Sequence, residues 1–439
     1  MNALKIKVSF SSLIIFLFIL NIIEVNAVTL EFKDVLQKAI QYSYDLNISI
    51  ISTEISKNEL NKAKLQFYPE LKFRFDSEYF HDFMDGSSSV TAIGNTLYPN
   101  NTKYQDSFSV DLSYNILDFG VRKKQFQIAE MDVESSKAAR EKLLIDLKTN
   151  VLDLYTEALT AYREKNAYLE LLPLMNELYV IKNRTYNAGI SNKTEIVEQK
   201  IKETRIVQNI EEQKNRLISI LINISFLTGE VYEEQLVKML PLTMMEKKIN
   251  AANFKNHPDT RLYEIEIKKK NLEISRVKKS LLPQVDFYLR YNLYGTDTAS
   301  YAASYNDIRQ RNFSVGLTTT FPILESFEKN YNLKKACFEA EKLKIEKSKK
   351  MAEIEKVYLD IKEKYRFYKA DIEIDKRILN DIEIKIDMQK RMTKEKVSDY
   401  ASILEQQAEL IKERLEMEKI IITKISAFKK LQFISEVSQ

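Results

Sequence analysis

The chain has no tryptophan, one cysteine, two histidines, seven glycines and seven prolines among 439 residues, and each scarcity removes a class of protein. With Cys337 alone, neither an intrachain disulfide nor a cysteine metal cluster can form. His81 and His257 stand in a predicted loop and beside Pro258, without the spacing of a metal site or a triad. No catalytic, metal-binding or cofactor-binding residue is therefore assigned. Few Gly and Pro with 30% charged residues favour long solvated helices over a compact multi-domain enzyme. The 67 basic and 63 acidic side chains nearly cancel, which excludes a nucleic-acid footprint. After residue 27 no apolar run reaches the ~18–20 residues that span a bilayer as a helix. Membrane insertion of the mature chain would need a closed β-barrel instead.

At the N-terminus, Lys5 and Lys7 precede an apolar run from Val8 to Ile23 that ends in Val25-Asn26-Ala27. This is the pattern of a secretory signal peptide over 1–27, cleaved before Val28. No cysteine follows the cleavage site, so lipoprotein processing is not expected. The mature chain is thus expected beyond the inner membrane.

Self-comparison finds a duplication. Ile116 to Gly120 aligns with Ile323 to Phe327, and Gly189 to Lys200 aligns with Lys396 to Gln407, both at an offset of 207. Further upstream the offset is 214, where Phe67-Tyr68-Pro69-Glu70 aligns with Leu281-Leu282-Pro283-Gln284. The repeats are placed at 28–240 and 241–439. The seven-residue difference falls in a loop, where an insertion is tolerated.

Each repeat carries two segments of period-two alternation, and strands are expected at about 70–80, 107–117, 284–294 and 312–322. Leu71, Phe73 and Phe75 alternate with Lys72, Arg74 and Asp76; Val110 and Leu112 flank Asp111; Phe287, Leu289 and Tyr291 alternate with Asp286 and Arg290. The intervening stretches, 81–105 and 296–311, read as exposed turns. Everything else is expected to be helical. Leu144, Leu147, Val151, Leu154, Ala158 and Ala161 recur at three- and four-residue steps, as do Met351, Ile354, Tyr358, Ile361, Tyr365 and Tyr368. Such a seam belongs to a coiled coil. Gly189 should end the first long helix, near 121–186, with Pro173 kinking or interrupting it.

Four strands cannot close a barrel, and an open edge in lipid leaves backbone groups unsatisfied. Three copies would supply twelve strands. Lys72, Arg74, Asp76, Asp111, Asp286 and Arg290 would then line the lumen, with the apolar residues toward lipid.

The mature start Val28-Thr29-Leu30-Glu31, the turn Ile116 to Gly120, and Tyr186-Asn187-Ala188-Gly189 followed by Glu195 resemble the TolC-like outer-membrane efflux family over about 28–437. The resemblance implies a mainly helical fold with a β-barrel contribution. Long helical hairpins would form a trimeric α-barrel, and four strands per chain would complete a 12-stranded barrel. It also implies a passive duct in the outer membrane with a large periplasmic extension. The partners would be two further copies of the chain, outer-membrane lipid, a periplasmic adaptor and an inner-membrane pump. A periplasmic helical adaptor or scaffold is the alternative, and the duplicated β-hairpins favour the channel.

By position, the resemblance places the gating tips near Tyr186 to Lys193 and Thr393 to Asp399. Of two acidic rings past the second tip, Ser402 stands in one place and Glu405 in the other. Lys396 replaces a glycine, while Thr393 and Ser398 replace a gate-restraining tyrosine and arginine. Glu405, Ser402, Glu195 and Gly189 are thus the gate candidates, and Arg391, Lys394 and Lys396 are candidates for links that hold the tips closed.

Overall fold

A computed structural model describes residues 28–79, 81, 90–93, 96–99, 103–243, 254–323, 325–394 and 400–436. The expected signal peptide, Lys396 and Ser398 lie outside the described residues. The first repeat runs β1 (Val28–Leu30), α1 (Phe32–Tyr42), α2 (Tyr44–Leu65), β2 (Glu70–Tyr79), β3 (Val90–Ile93), β4 (Thr96–Pro99), β5 (Tyr104–Leu117), α3 (Val121–Asn187) and α4 (Lys193–Thr228). Then follow β6 (Val237–Met239), α5 (Pro258–Lys279), β7 (Gln284–Asp297), α6 (Tyr301–Asn306), β8 (Gln310–Thr320), α7 (Glu325–Lys394) and α8 (Tyr400–Glu436). The duplication recurs in the boundaries. α2 and α5 start and end 214 residues apart, and the ends of α3 and α7 lie 207 apart, as do the starts of α4 and α8.

Two compact units cut across the repeats rather than separating them. One comprises Ser49–Ala139 and Asp259–Lys350; the other comprises Met1–Ile48, Arg140–Pro258 and Met351–Gln439. Each unit takes matching parts of both repeats.

The first of these units is built on an antiparallel sheet in the order β2-β5-β7-β8, which leaves β2 and β8 as edges. Register aligns the alternation across all four strands. Leu71, Leu112, Leu289 and Val315 form one cross-strand row, and Lys72, Asp111, Arg290 and Ser314 form the next. On the apolar face Phe73 is 76% and Leu317 65% exposed. A sheet normally buries an apolar face against another layer, but here Phe73, Phe75, Phe313 and Leu317 of that face stay exposed. The strands match the expected ones to within a few residues. The stretches read as turns hold the β3–β4 hairpin and the short α6.

The turn from β5 into α3 is held by a polar cluster. Phe119 and Gly120 adopt φ of 51° and 87°, the left-handed region where a β-branched residue would be strained. The Asp118 carboxylate accepts the N–H groups of Gly120 (2.8 Å) and Arg122 (2.9 Å) and the Arg122 guanidinium (2.8 Å). Arg122 also donates to the carbonyls of Asn115 (2.7 Å) and Gln66 (3.2 Å). The second repeat keeps that last link, since Lys329 Nζ donates to the Ser280 carbonyl at 3.3 Å.

In the other unit, β1 and β6 pair in parallel. The fully buried Tyr155 of α3 places its hydroxyl 2.8 Å from the Leu30 carbonyl and 2.7 Å from that of Leu240. Its one proton ties the helix to the segments holding both strands. The surrounding core includes Leu152, Leu159, Leu217, Leu221 and Ile224. α3 continues through Pro173 without interruption. The proline removes one helical hydrogen bond, but Leu171, Met175 and Leu178 are all buried around it and hold the helix in register.

The predicted seam of α7 is partly met. Ile354 and Tyr358 are buried, while Met351, Ile361, Tyr365 and Tyr368 are half-buried. Further along, Ile372, Ile382 and Ile386 are buried, whole heptads from Ile354 or Tyr358. On α3 the prediction is only partly met. Val151, Ala158 and Ala161 are buried, but Leu144, Leu147 and Leu154 are half-buried, while Leu152, Tyr155 and Leu159 are enclosed. α3 is covered by α1, α4 and α8 together, so its buried arc is wider than a two-helix seam.

Candidate functional site

The first tip is closed by backbone geometry. Gly189, at φ 72°, follows α3, the Gly189 N–H donates to the Tyr186 carbonyl (2.8 Å), and the Ile190 N–H reaches back to Thr185 (2.9 Å). This pair of bonds is a Schellman motif, which favours glycine at its left-handed position. α4 then opens with Asn192 as cap, its side chain accepting the Glu195 N–H at 3.1 Å. Glu195 is exposed in the first helical turn, where a carboxylate complements the helix dipole. These positions define the tip's shape.

At the second tip, α7 ends at Lys394 and α8 begins at Tyr400. The backbone of Lys394 is helical, and Lys396 lies outside the described residues. Arg391 is exposed and has no ion pair among the described residues. Ser402 hydrogen-bonds the Gln389 side chain across the α7–α8 hairpin, and Thr393 donates its hydroxyl to the Gln389 carbonyl at 2.9 Å. Glu405 is not paired with Arg391. Its carboxylate lies 3.5 Å from Lys182 Nζ on α3, with half of the Glu405 side chain exposed.

That contact is one rung of an antiparallel series between the repeats. Lys182–Glu405, Glu164–Lys419 (3.2 Å), Arg163–Glu418 (3.8 Å) and Asp153–Lys430 (2.6 Å) join α3 to α8, descending one helix as they ascend the other. Leu171, Leu178, Leu404 and Ile411 pack beneath them. Sequence reasoning missed Lys182, because nothing local marks a contact between residues in different repeats. It also missed Asp375, at a seam position of α7. Burial raises its carboxyl pKa above the ordinary value, and the nearby charges of Asp371 and Glu416 add to the shift.

The six lumen candidates share the polar face of the sheet. Arg290 bridges to Asp111, which Arg74 also approaches at 3.2 Å, and Asn115 donates to Asp286 at 2.8 Å. Lys72 pairs with Glu70 at 2.9 Å. Asp76 lies on the same face, opposite Ser107. Two guanidiniums on one carboxylate leave a net positive centre across β2, β5 and β7.

Among the described residues no group of His, Cys, Asp and Glu is arranged to hold a metal, and no helix is long and apolar enough to cross a membrane.

The family model of the outer membrane efflux proteins matches residues 35–230. No curated protein matches the chain. Solved channels share the fold at low identity. The Campylobacter jejuni CmeC outer membrane channel is 14% identical over 93% of this chain and 86% of its own, with a TM-score of 0.74. The Vibrio cholerae outer membrane protein VceC is 11% identical over 90% and 95%, with a TM-score of 0.73. The open state of the Neisseria gonorrhoeae MtrE channel is 14% identical over 95% and 93%, with a TM-score of 0.68. By the match to its first repeat and by the fold of the whole, the chain is similar to the outer membrane efflux proteins.

Proposed function

We propose that the chain is the outer-membrane channel of a tripartite efflux or type I secretion system. It acts as a passive homotrimeric duct from periplasm to exterior, opened at its helical tips. The observation that carries this reading is the sheet itself, four strands with two free edges and an apolar face on which Phe73, Phe75, Phe313 and Leu317 stay exposed. In lipid each unpaired backbone group costs several kcal/mol, so β2 of one copy must meet β8 of the next. Three copies then close twelve strands, within the range of outer-membrane barrels. A periplasmic adaptor and an inner-membrane pump are the partners, and the pump selects the cargo. A periplasmic adaptor function for this chain would leave the apolar face of the sheet in water. Extracted from the outer membrane in mild detergent, the protein should have the native mass of a trimer. A stable monomer from that fraction would overturn the twelve-strand arrangement.

In this trimer the second tips converge on the pore, and Glu405 acts on passing ions. Its field is partly offset by Lys182. Single-channel recordings should show reduced cation preference for Glu405→Gln and increased preference for Lys182→Met. Trimer stability should change little, since a half-exposed pair contributes under about 1 kcal/mol. Unaltered selectivity in both variants would place Glu405 on the outer helix surface.

A further inference from the structure

Between β7 and β8 lies the six-residue helix α6, and its contacts fix the face on which it sits. The buried Ser304 donates its hydroxyl to the Gly295 carbonyl at 2.9 Å and accepts the Asp106 N–H at 2.9 Å. The Tyr301 ring meets Tyr104 at 4.8 Å, and Tyr305 meets Phe108 at 6.3 Å. Tyr104, Asp106 and Phe108 alternate in phase with Val110 and Leu112, on the apolar face. Gly295 gives an independent check, since it is in phase with Leu289 and Tyr291. A Cβ added there would come within 2.1 Å of the Ser304 carbonyl oxygen. The missing side chain is the space that α6 occupies, so the helix lies against the apolar side of the sheet.

Beneath α6 that face changes character. From Tyr114 to Phe108 the β5 column is apolar, and then comes Asp106, only 2% exposed and opposite Gly295 in register. Its Oδ2 has no hydrogen-bond partner among the described residues. A carboxylate facing acyl chains would be costly, and α6 encloses it. β5 and β7 are each 14 residues long, whereas a tilted strand crosses the hydrocarbon in ~9–11. β7 outruns β8 by Gly295, Thr296 and Asp297, at the α6 end.

We infer that α6 is an interfacial element, seated on the lipid side of the barrel wall where the outer leaflet's hydrocarbon ends, with Tyr301 and Tyr305 in the headgroup layer. The inference rests on the barrel reading above. Both rings are about half exposed, at 44% and 55%, and tyrosine favours the boundary where one end of the ring is apolar and the other wet. A neighbouring copy is not the occupant. α6 packs on β5 and β7, the inner strands, while copies join at β2 and β8.

The absence of tryptophan supplies the test. Tyr305→Trp and, as a depth reference, Leu289→Trp are each reconstituted as full-length trimer into phosphatidylcholine vesicles brominated either near the headgroup or near the chain end. Tyr305→Trp should be quenched several-fold more by the shallow bromines, and Leu289→Trp more by the deep ones. Adding Gly295→Ala to Tyr305→Trp should displace α6, reducing shallow quenching and opening the indole to aqueous iodide. Iodide quenching of Tyr305→Trp without quenching by bromolipid would overturn the inference, as would deep bromines quenching it best. So would quenching unaltered by Gly295→Ala. If Leu289→Trp escaped bromolipid quenching altogether, the barrel reading itself would fail.

Discussion

Leu289→Arg should cost the folded barrel about 2–4 kcal/mol, whereas Arg290→Leu, one residue along, should cost clearly less. Leu289 sits in the row Leu71, Leu112, Leu289, Val315, near the middle of the apolar face and away from both edges. A guanidinium there must either enter hydrocarbon or distort the surrounding lipid. Arg290 points to the other, polar face, where its loss leaves Asp111 still beside Arg74 at 3.2 Å. The measurement is the unfolding equilibrium of each variant in phospholipid vesicles, read as a roughly 30- to 700-fold change for Leu289→Arg at about 1.4 kcal/mol per decade. Equal costs for the two substitutions would mean that the faces are wrongly assigned.

Arg122→Ala should be nearly as damaging, at about 3 kcal/mol, because one part-buried side chain closes the sheet-to-helix turn. It satisfies the Asp118 carboxylate and the carbonyls of Gln66 and Asn115, and lies against the rings of Phe67 (5.7 Å) and Tyr114 (5.5 Å). Truncation leaves Asp118 without its charged partner. Arg122→Lys keeps the charge but not the planar fork, so it should recover only part of the loss. The turn also gives a pH signature. Burial alone would raise the Asp118 carboxyl, but the N–H groups of Arg122 and Gly120 and the guanidinium prevail, and its pKa falls below 3.8. A carboxylate depressed in the folded state stabilises fully above its unfolded pKa, and that stabilisation disappears as pH falls through the lowered value. Denaturant midpoints of the native protein and Asp118→Asn should therefore differ at neutral pH and converge in strong acid. A difference independent of pH would exclude the charge of Asp118 as the cause.

The sheet was legible in the sequence because its two faces meet different surroundings over the whole length of each strand. Leu289 and Arg290 could be assigned to opposite faces from their neighbours alone. The seam of α7 was legible in part, since Ile354 and Tyr358 are buried and lead at heptad spacing to Ile372, Ile382 and Ile386, but Met351, Ile361, Tyr365 and Tyr368 are half-buried. The seam of α3 was only half legible, because several elements share that helix and no single stripe holds its core. Pro173 does not interrupt α3; local propensity registers the missing hydrogen bond and not the packing of Leu171 and Leu178 beside it. α6, β1 and β6 are too short for any periodicity to develop. At the helical tips, Gly189 was readable as a helix stop, but the partner of Glu405 was not, since Lys182 lies in the other repeat.

The division of the chain into units that each draw on both repeats bears on how such a ring came to be assembled. β5 of the first repeat is paired along its length with β7 of the second, and Ile422 of the second repeat enters the core around Tyr155 of the first. A single repeat on its own would carry these surfaces bare, and the proposed ring of three chains would then need six molecules. Each association event sacrifices about 4–15 kcal/mol of translational and rotational freedom at the standard state. Covalent duplication therefore replaces five such events by two, and makes assembly far less dependent on how many copies the membrane holds. It also frees the two halves to differ, so that alternate positions around the ring can carry a β3–β4 hairpin or an α6 helix. A ring of identical single repeats could not make that distinction.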